Sequence, residues 1–333
     1  MVKSKMTLVA ANLLALIGFC TPAQADEALL AREDVQVFIK KQVQAGAFKK
    51  EAMENFFRQV NPKPNIVKIM DRPSTSRAYF QFRPAFLATP DLVEGGIDFW
   101  QQNEATLNKA AKAYGVDPEF IVAIIGVETR YGQQTGTFRV ADALTTLAFD
   151  YPRRADFFQQ ELVALLEIAQ SERQDAFSFK GSYAGAMGWP QFMPTSFQKW
   201  AVDFDGDGQH DIWSNKSDII GSVGHYLQKH GWQAGQTVFV PASALPSESV
   251  EQLLLDKFNL HYTVGEFRKM GVTPSAFVDD KQQAVLFKLE REEGVSHHYL
   301  GLNNFYVITR YNKSINYAML VTELAQKIKA SRF

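Results

Sequence analysis

Val116-Asp117-Pro118-Glu119-Phe120-Ile121-Val122-Ala123-Ile124-Ile125-Gly126-Val127-Glu128-Thr129-Arg130-Tyr131-Gly132 is the stretch from which this chain is best read. Asp117 suits a helix N-cap, Pro118 the first helical position and Gly132 the stop, so the spacing predicts a helix over 117–131. Between the ends runs an almost unbroken apolar sequence with one carboxylate near its close, Glu128. Ile121, Ile124 and Ile125 precede it at helical intervals and share its face. A glutamate on an apolar face loses hydration, which favours its neutral form and raises its pKa. A carboxyl group that keeps its proton near neutral pH is what a general acid needs. The plainer reading stays open at this point: Glu128 is a structural carboxylate paired with Arg130 or another cation.

Around this stretch the composition is that of an ordinary globular protein, 46% hydrophobic and 21% charged over 333 residues, enough for one or two domains. A formal net charge of -1 gives no global field toward nucleic acid or acidic membranes. The N-terminus is different. Lys3 and Lys5 precede a short apolar run, Met6 to Phe19, and Ala23-Gln24-Ala25 makes a small-residue cleavage site. Residues 1–25 read as an export signal cut after Ala25, and the apolar run is too short to span a bilayer. Cys20, the single cysteine, is the alternative: a lipid acylation site, against which the bulky Phe19 argues. Cutting after Ala25 leaves no cysteine and so no disulfide or thiol chemistry.

Along the chain, residues 28–61 carry apolar groups at helical spacing, and Pro62 and Pro64 break the pattern. Ala78 to Pro84 is expected to be largely extended, because residues before proline avoid the helical region. From Pro90 to about Trp232 the chain reads as helical, with one helix over roughly 90–114, one from near Pro152, and one over about Ser217 to Gly231. After Gly235, short strands are expected at 238–240, 284–289 and 305–309, with small helices near 248–258 and 263–270 between them. The last helix runs from about Ser314 to Lys329.

A second segment, Phe179-Lys180-Gly181-Ser182-Tyr183-Ala184-Gly185-Ala186-Met187-Gly188-Trp189-Pro190-Gln191-Phe192-Met193-Pro194, is too rich in glycine and proline for a plain helix. Small residues allow close approach of backbone to backbone or ligand. Ser182, Tyr183 and Gln191 are neutral hydrogen-bonding groups, and Trp189 and Phe192 offer flat apolar faces. The mixture suits a saccharide cleft; the alternative is a structural loop that packs two helices.

Together, Gly126 to Gly132, Gly181 to Gly188 and Pro190 to Pro194 closely resemble the lytic murein transglycosylase B family, and the resemblance extends over roughly residues 30–330. It implies an α+β, mainly helical fold. Its parts would be an N-terminal helical domain (26–95), a lysozyme-like core with an EF-hand-like loop (96–235), a small β domain (236–312) and a C-terminal helix packing back on the helical domains (313–333). It also implies an enzyme that cleaves the glycan strands of peptidoglycan, its partner, and with the export leader the expected compartment is the periplasm. By similarity, Ser182 and Gln191 line the cleft, as do Tyr226, Tyr311 and Tyr317. Phe82 stands where the family can carry a tyrosine, so it could stack on a sugar but not donate a hydrogen bond.

The residue types fit that chemistry. Most glycosidases use two carboxylates. Here Glu128 has no second carboxylate in an equally telling motif; Asp142, Asp150 and Asp156 read as solvated or capping positions. One acid suffices if the muramic 6-hydroxyl attacks its own anomeric carbon, which needs no cofactor and yields a 1,6-anhydro product. A lysozyme-type hydrolase and a catalytically silent murein-binding scaffold are the rival readings.

The third segment runs from Asp203 to Trp213. Asp203, Asp205 and Asp207 with Gly206 match the start of an EF-hand loop, and Gln209 would offer its backbone carbonyl. Position 12 is Ser214 rather than glutamate; by similarity to the family, Asp218 closes a longer loop. Clustered carboxylates favour Ca²⁺ in a structural role, the alternative being a solvated acidic turn. The six histidines have no metal-ligand spacing.

Overall fold

The computed structural model describes residues 23–71 and 77–332. The positive leader residues, the apolar run and Cys20 lie outside the described residues, while Ala23-Gln24-Ala25 opens the first described helix. The chain divides into two compact units, one ending at Asn61 and the other beginning at Pro62.

The first unit holds helices α1 (Ala23–Leu30), α2 (Glu33–Gln44) and α3 (Lys50–Gln59). Val35, Phe38 and Ile39 of α2 and Met53, Phe56 and Phe57 of α3 are buried, as their helical spacing requires. Phe57 makes T-shaped contacts with both Phe38 and Phe56, with ring centroids 6.0 and 5.4 Å away.

The second unit starts with α4 (Pro64–Met70), α5 (Tyr79–Phe82) and α6 (Pro84–Leu87). The expected extended run at 78–84 is therefore a pair of single helical turns. Arg83, just before Pro84, is helical at φ -54° and ψ -41°, against the local preference. Tertiary contacts override it: Tyr79 is buried, and the Arg83 guanidinium donates to Glu323 at 2.6 Å.

Next come α7 (Asp91–Gln102), α8 (Glu104–Tyr114), α9 (Pro118–Thr129), the short strand β1 (Phe138–Arg139), α10 (Val140–Asp150) and α11 (Ala155–Ser171). The single helix expected over 90–114 is two. Asn103 breaks it with φ -121°, and its side-chain amide joins its backbone N–H in donating to the Phe99 carbonyl, at 2.8 and 3.1 Å. A second short strand, β2 (Lys180–Gly181), pairs antiparallel with β1, and α12 (Pro194–Trp200) and α13 (Lys216–Lys229) follow. The buried sides of α9, α10 and α11 supply most of the helical core.

The remaining chain builds a five-stranded antiparallel sheet from β3 (Phe239–Ala244), β4 (Tyr262–Thr263), β5 (Val272–Pro274), β6 (Gln283–Glu292) and β7 (Val295–Gly301), in the order β4-β6-β7-β3-β5. Helices α14 (Glu248–Leu253) and α15 (Val264–Lys269) interrupt it in sequence. One face of the sheet, with Val240, Ala284, Leu286 and Leu300, packs on Val250, Val264 and Phe267 of those helices. The other face, with Phe287 and Tyr299, is covered by Phe305, whose ring stacks on Phe287 at 4.5 Å.

Phe305 belongs to α16 (Asn303–Tyr311), which corrects the strand expected at 305–309. Phe-Tyr-Val-Ile-Thr has strand propensity, but Phe305, Ile308 and Thr309 lie on one helical face that is buried, and burial decides. The final helix, α17 (Ile315–Ser331), is buried along much of its length and packs on α9 and α7.

Candidate active site

The site is built where α9 ends. The helix stops at Thr129, earlier than Gly132, because Arg130 and Tyr131 both turn left-handed, at φ 49° and 56°. That conformation costs non-glycine residues about 1 kcal/mol or more each. Anchors on both side chains hold it: Arg130 donates to the Ala85 carbonyl at 2.9 Å, and the Tyr131 hydroxyl to the Leu92 carbonyl at 3.0 Å. Gly132 follows at φ 85°, where an added Cβ would lie 2.0 Å from the Trp189 ring. At the other end, Asp117 makes no cap bond; its carboxylate accepts from Trp232 Nε1 at 2.9 Å and from the Gly235 amide instead.

Glu128 is thereby fixed in the last turn of α9. Its Oε1 accepts a hydrogen bond from the Tyr317 hydroxyl at 2.7 Å. Among the described residues it has no ion-pair partner, and Arg130 is committed elsewhere, so the ion-pair reading fails. The side chain keeps some exposed surface, yet protein packs densely around the carboxyl group. Desolvation outweighs the Tyr317 hydrogen bond and pushes the pKa up to about 7.

Tyr317, on the first turn of α17, and Tyr311, at the end of α16, both have pKa values well above the usual tyrosine range, through burial and then the charge of Glu128. They therefore stay neutral donors. Their rings lie nearly parallel, 6.4 Å apart, and the Tyr311 hydroxyl donates to the Pro190 carbonyl at 2.6 Å. Tyr226 of α13 sets its ring edge-on to Tyr311 at 4.7 Å, and Phe192 packs on both. Burial raises the Tyr226 pKa as well.

The glycine-rich segment is a set of tight turns beside β2. The Ser182 hydroxyl accepts from the Ala184 and Ala186 amides at 3.3 and 3.1 Å. Met187 and Phe192 exchange backbone hydrogen bonds of 2.8 and 3.1 Å. Gln191, at φ 53°, donates its amide to the carbonyls of Gly188 and Thr135 at 2.8 and 3.2 Å. Two acceptors on the nitrogen orient the carboxamide and leave its oxygen as the open acceptor. The structure thus gathers Glu128, Tyr317, Tyr311, Tyr226 and, through Pro190, Gln191. Ser182, Tyr183 and Phe82 make no hydrogen bond with Glu128. Tyr183 is 38% exposed, and Phe82 packs on Phe86 at 5.1 Å.

Two features escaped the sequence reading. Thr129, fully buried, accepts from the Gly132 amide at 3.1 Å and lies 3.4 Å from the Trp189 carbonyl, tying the end of α9 to the glycine-rich segment. The Thr-x-x-Gly spacing is the local signal for it. Lys216 lies over the Trp189 ring at 3.7 Å, which no local pattern announces. Asp142 is a correction: rather than solvated or capping, it is buried and holds Arg139 at 2.7 and 2.8 Å, which keeps its charge paired.

In the acidic loop, carboxylate oxygens of Asp203, Asp205 and Asp218 lie within 4.8 Å of one another. Asp207 stands outside this group and accepts from the Gln209 amide at 2.9 Å. Burial, then repulsion by Asp205 and Asp203, raises the Asp218 pKa. A hard cation would relieve that repulsion, and an all-oxygen donor set suits calcium.

Residues 31–326 match the family described as transglycosylase SLT domain. Membrane-bound lytic murein transglycosylase B of Escherichia coli is 41% identical over 309 residues, 90% of this chain and 83% of its own. Among solved structures, the catenated lytic transglycosylase SltB1 of Pseudomonas aeruginosa superposes with a TM-score of 0.85 at 41% identity, covering 91% of this chain and 99% of that one. Escherichia coli Slt35 in complex with calcium gives 0.80 at 40%, covering 91% and 94%. Pseudomonas aeruginosa SltB3 with NAG-NAM-pentapeptide gives 0.73 at 31%, covering 93% and 80%. With nearly the whole chain matched in sequence and in fold, the chain belongs to the transglycosylase SLT domain family.

Proposed function

We propose that this chain cleaves the β-1,4 bond between N-acetylmuramic acid and N-acetylglucosamine in murein without water. The protonated Glu128 carboxyl gives its proton to the bridging oxygen. The bond from the anomeric carbon breaks, its electron pair goes to that oxygen, and the leaving sugar departs with a 4-hydroxyl. The Glu128 carboxylate then takes the proton of the muramic 6-hydroxyl as that oxygen closes onto the anomeric carbon. The acid is restored, and the product end is a 1,6-anhydro ring. Ring closure within one sugar gains from proximity.

The observation that carries this reading is a buried carboxyl group with a pKa near 7, acted on by burial and Tyr317 and, among the described residues, by no second carboxylate. Such a group is divided between acid and base at neutral pH, as a step that first gives and then takes a proton requires. Tyr317 orients the acid. Tyr311, Tyr226, Gln191, Ser182, Tyr183 and Phe82 are assigned to holding the sugars.

Asp203, Asp205 and Asp218 would hold a structural Ca²⁺, with Asp207 and the Gln209 carbonyl at the edge of its loop. The bound ion would fix the 203–218 loop without entering the reaction. The leader assigns the protein to the periplasm. The mass of the mature N-terminus separates a cut after Ala25 from acylation at Cys20.

Digestion of purified sacculi followed by mass spectrometry tests the activity. Fragments lighter by one water and lacking a reducing end are expected. Reducing ends would make the chain a lysozyme-type hydrolase, and sacculus binding without released fragments a silent scaffold.

A further inference from the structure

Tyr311 and Tyr317 bracket a short connection between α16 and α17. That connection, on its way between the two tyrosines of the acid site, lines a pocket of ≈ 420 Å³. Four cations surround the pocket: Arg77, Lys257, Lys288 and Lys313. All four are exposed, and none has a carboxylate partner among the described residues. The one lining carboxylate, Glu290, is turned to the Gly294 amide at 2.8 Å.

The cations come from separate parts of the second unit, and the fold brings them together. Lys288 projects from β6, and Arg77 precedes α5, where its carbonyl accepts from Asn316 at 2.9 Å. The Lys257-Phe258 segment is tied to the end of α16. Arg310, the neighbour of Tyr311, donates to the Phe258 carbonyl at 2.9 Å. The first turn of α17, a 17-residue helix, adds its N-terminal polarity to the same side. Four cations with one committed carboxylate between them give the pocket a positive potential that attracts anions.

We propose that this pocket binds the carboxylates of a peptide carried by the glycan strand, and so positions peptide-bearing substrate on Glu128. The proposal deepens the functional reading above and rests on it. A peptide ends in a carboxylate and can carry more on acidic side chains. Lysine and arginine bind such groups by charge-assisted hydrogen bonds. Because all four cations are exposed, the preference is sensitive to ionic strength.

The test uses the full chain with Glu128→Gln, so that strands bind without being cut, and compares peptide-bearing strands with strands stripped of peptide by an amidase. The preference for peptide-bearing strands should shrink with added salt. Adding Lys257→Glu and Lys288→Glu should weaken binding of peptide-bearing strands roughly three- to tenfold and leave stripped strands unchanged. Equal weakening on both, or no weakening, overturns the proposal. So does a variant that keeps the strand preference but loses binding to phosphatidylglycerol vesicles, which would assign the cations to a lipid surface. Failure of the wild type to make anhydro ends would sink the reaction while leaving this affinity ratio intact, so the two readings fail separately.

Discussion

Glu128 and Asp203 are both carboxylates at turns of the chain, and the fold treats them in opposite ways. Asp203 accepts the backbone amides of Gly206, Asp207 and Gly208 at 2.7 to 3.0 Å, and these bonds hold its pKa below the ordinary value. Gly206, at φ 87°, lets the loop curl back so that its amides face inward. Among the described residues Glu128 accepts from one hydroxyl and no amide. Its place on α9 explains why: the last turn of a helix exposes carbonyls, and the negative pole of the helix disfavours a further anion. Burial completes the effect. One carboxylate is therefore held charged at neutral pH, as a cation site would need, while the other is held between its two forms, as proton transfer would need.

The largest effect should come from abolishing the second of these. Glu128→Gln keeps the shape and the Tyr317 contact but cannot give a proton, and turnover on sacculi should fall by about 10²–10⁴. Full activity on purified murein would remove Glu128 from the acid role.

The same variant should gain stability, and pH gives the sign. The folded pKa, about 7, lies above the ordinary 4.5. Between these values the folded state binds more protons than the unfolded, so stability falls as pH rises through the window. Below about pH 4.5 the penalty vanishes, and above about pH 7 it is complete. Glu128→Gln should therefore be more stable than the wild type by about 1–3 kcal/mol at pH 8, with the gap closing toward pH 4.5. Denaturant unfolding at both pH values measures it, and a gap that does not change with pH would sink the idea.

The acidic loop should respond to a different probe. Stripping Ca²⁺ with a chelator should lower Tm by about 5 °C if the ion is held at a hundred times its Kd. Asp203→Asn should remove that response while leaving the pH dependence of turnover where it was. An unchanged Tm on chelation would leave the loop a solvated turn.

How far these contrasts could be read without a structure depends on how local their causes are. The burial of Glu128 followed from three isoleucines within seven residues of it, and the acidic loop from an alternation of aspartates. Local patterns misled where a distant contact decided the matter. Phe305 to Thr309 looks like a strand until Phe287 stacks on Phe305, and Asp142 looks exposed until Arg139 folds over it. The partner of the acid was the least legible contact, since Tyr317 lies 189 residues from Glu128. Family resemblance pointed to that tyrosine; no spacing rule could have.

That contact carries the finest test of the comparison. Tyr317 supplies the one hydrogen bond that lowers the Glu128 pKa, so it makes the acid slightly more like Asp203. Tyr317→Phe removes the donor and keeps the buried ring. The pKa should then rise further, because only desolvation is left to act. A general acid must be protonated to work, so turnover falls as pH climbs through its pKa. The alkaline limb of the kcat profile should accordingly move to higher pH. The carboxyl group also loses its orienting partner, and kcat at the optimum should fall roughly fivefold with little change in KM. A profile that drops in height without shifting would mean that Tyr317 only positions the acid. A shift to lower pH would contradict the sign of the hydrogen bond itself.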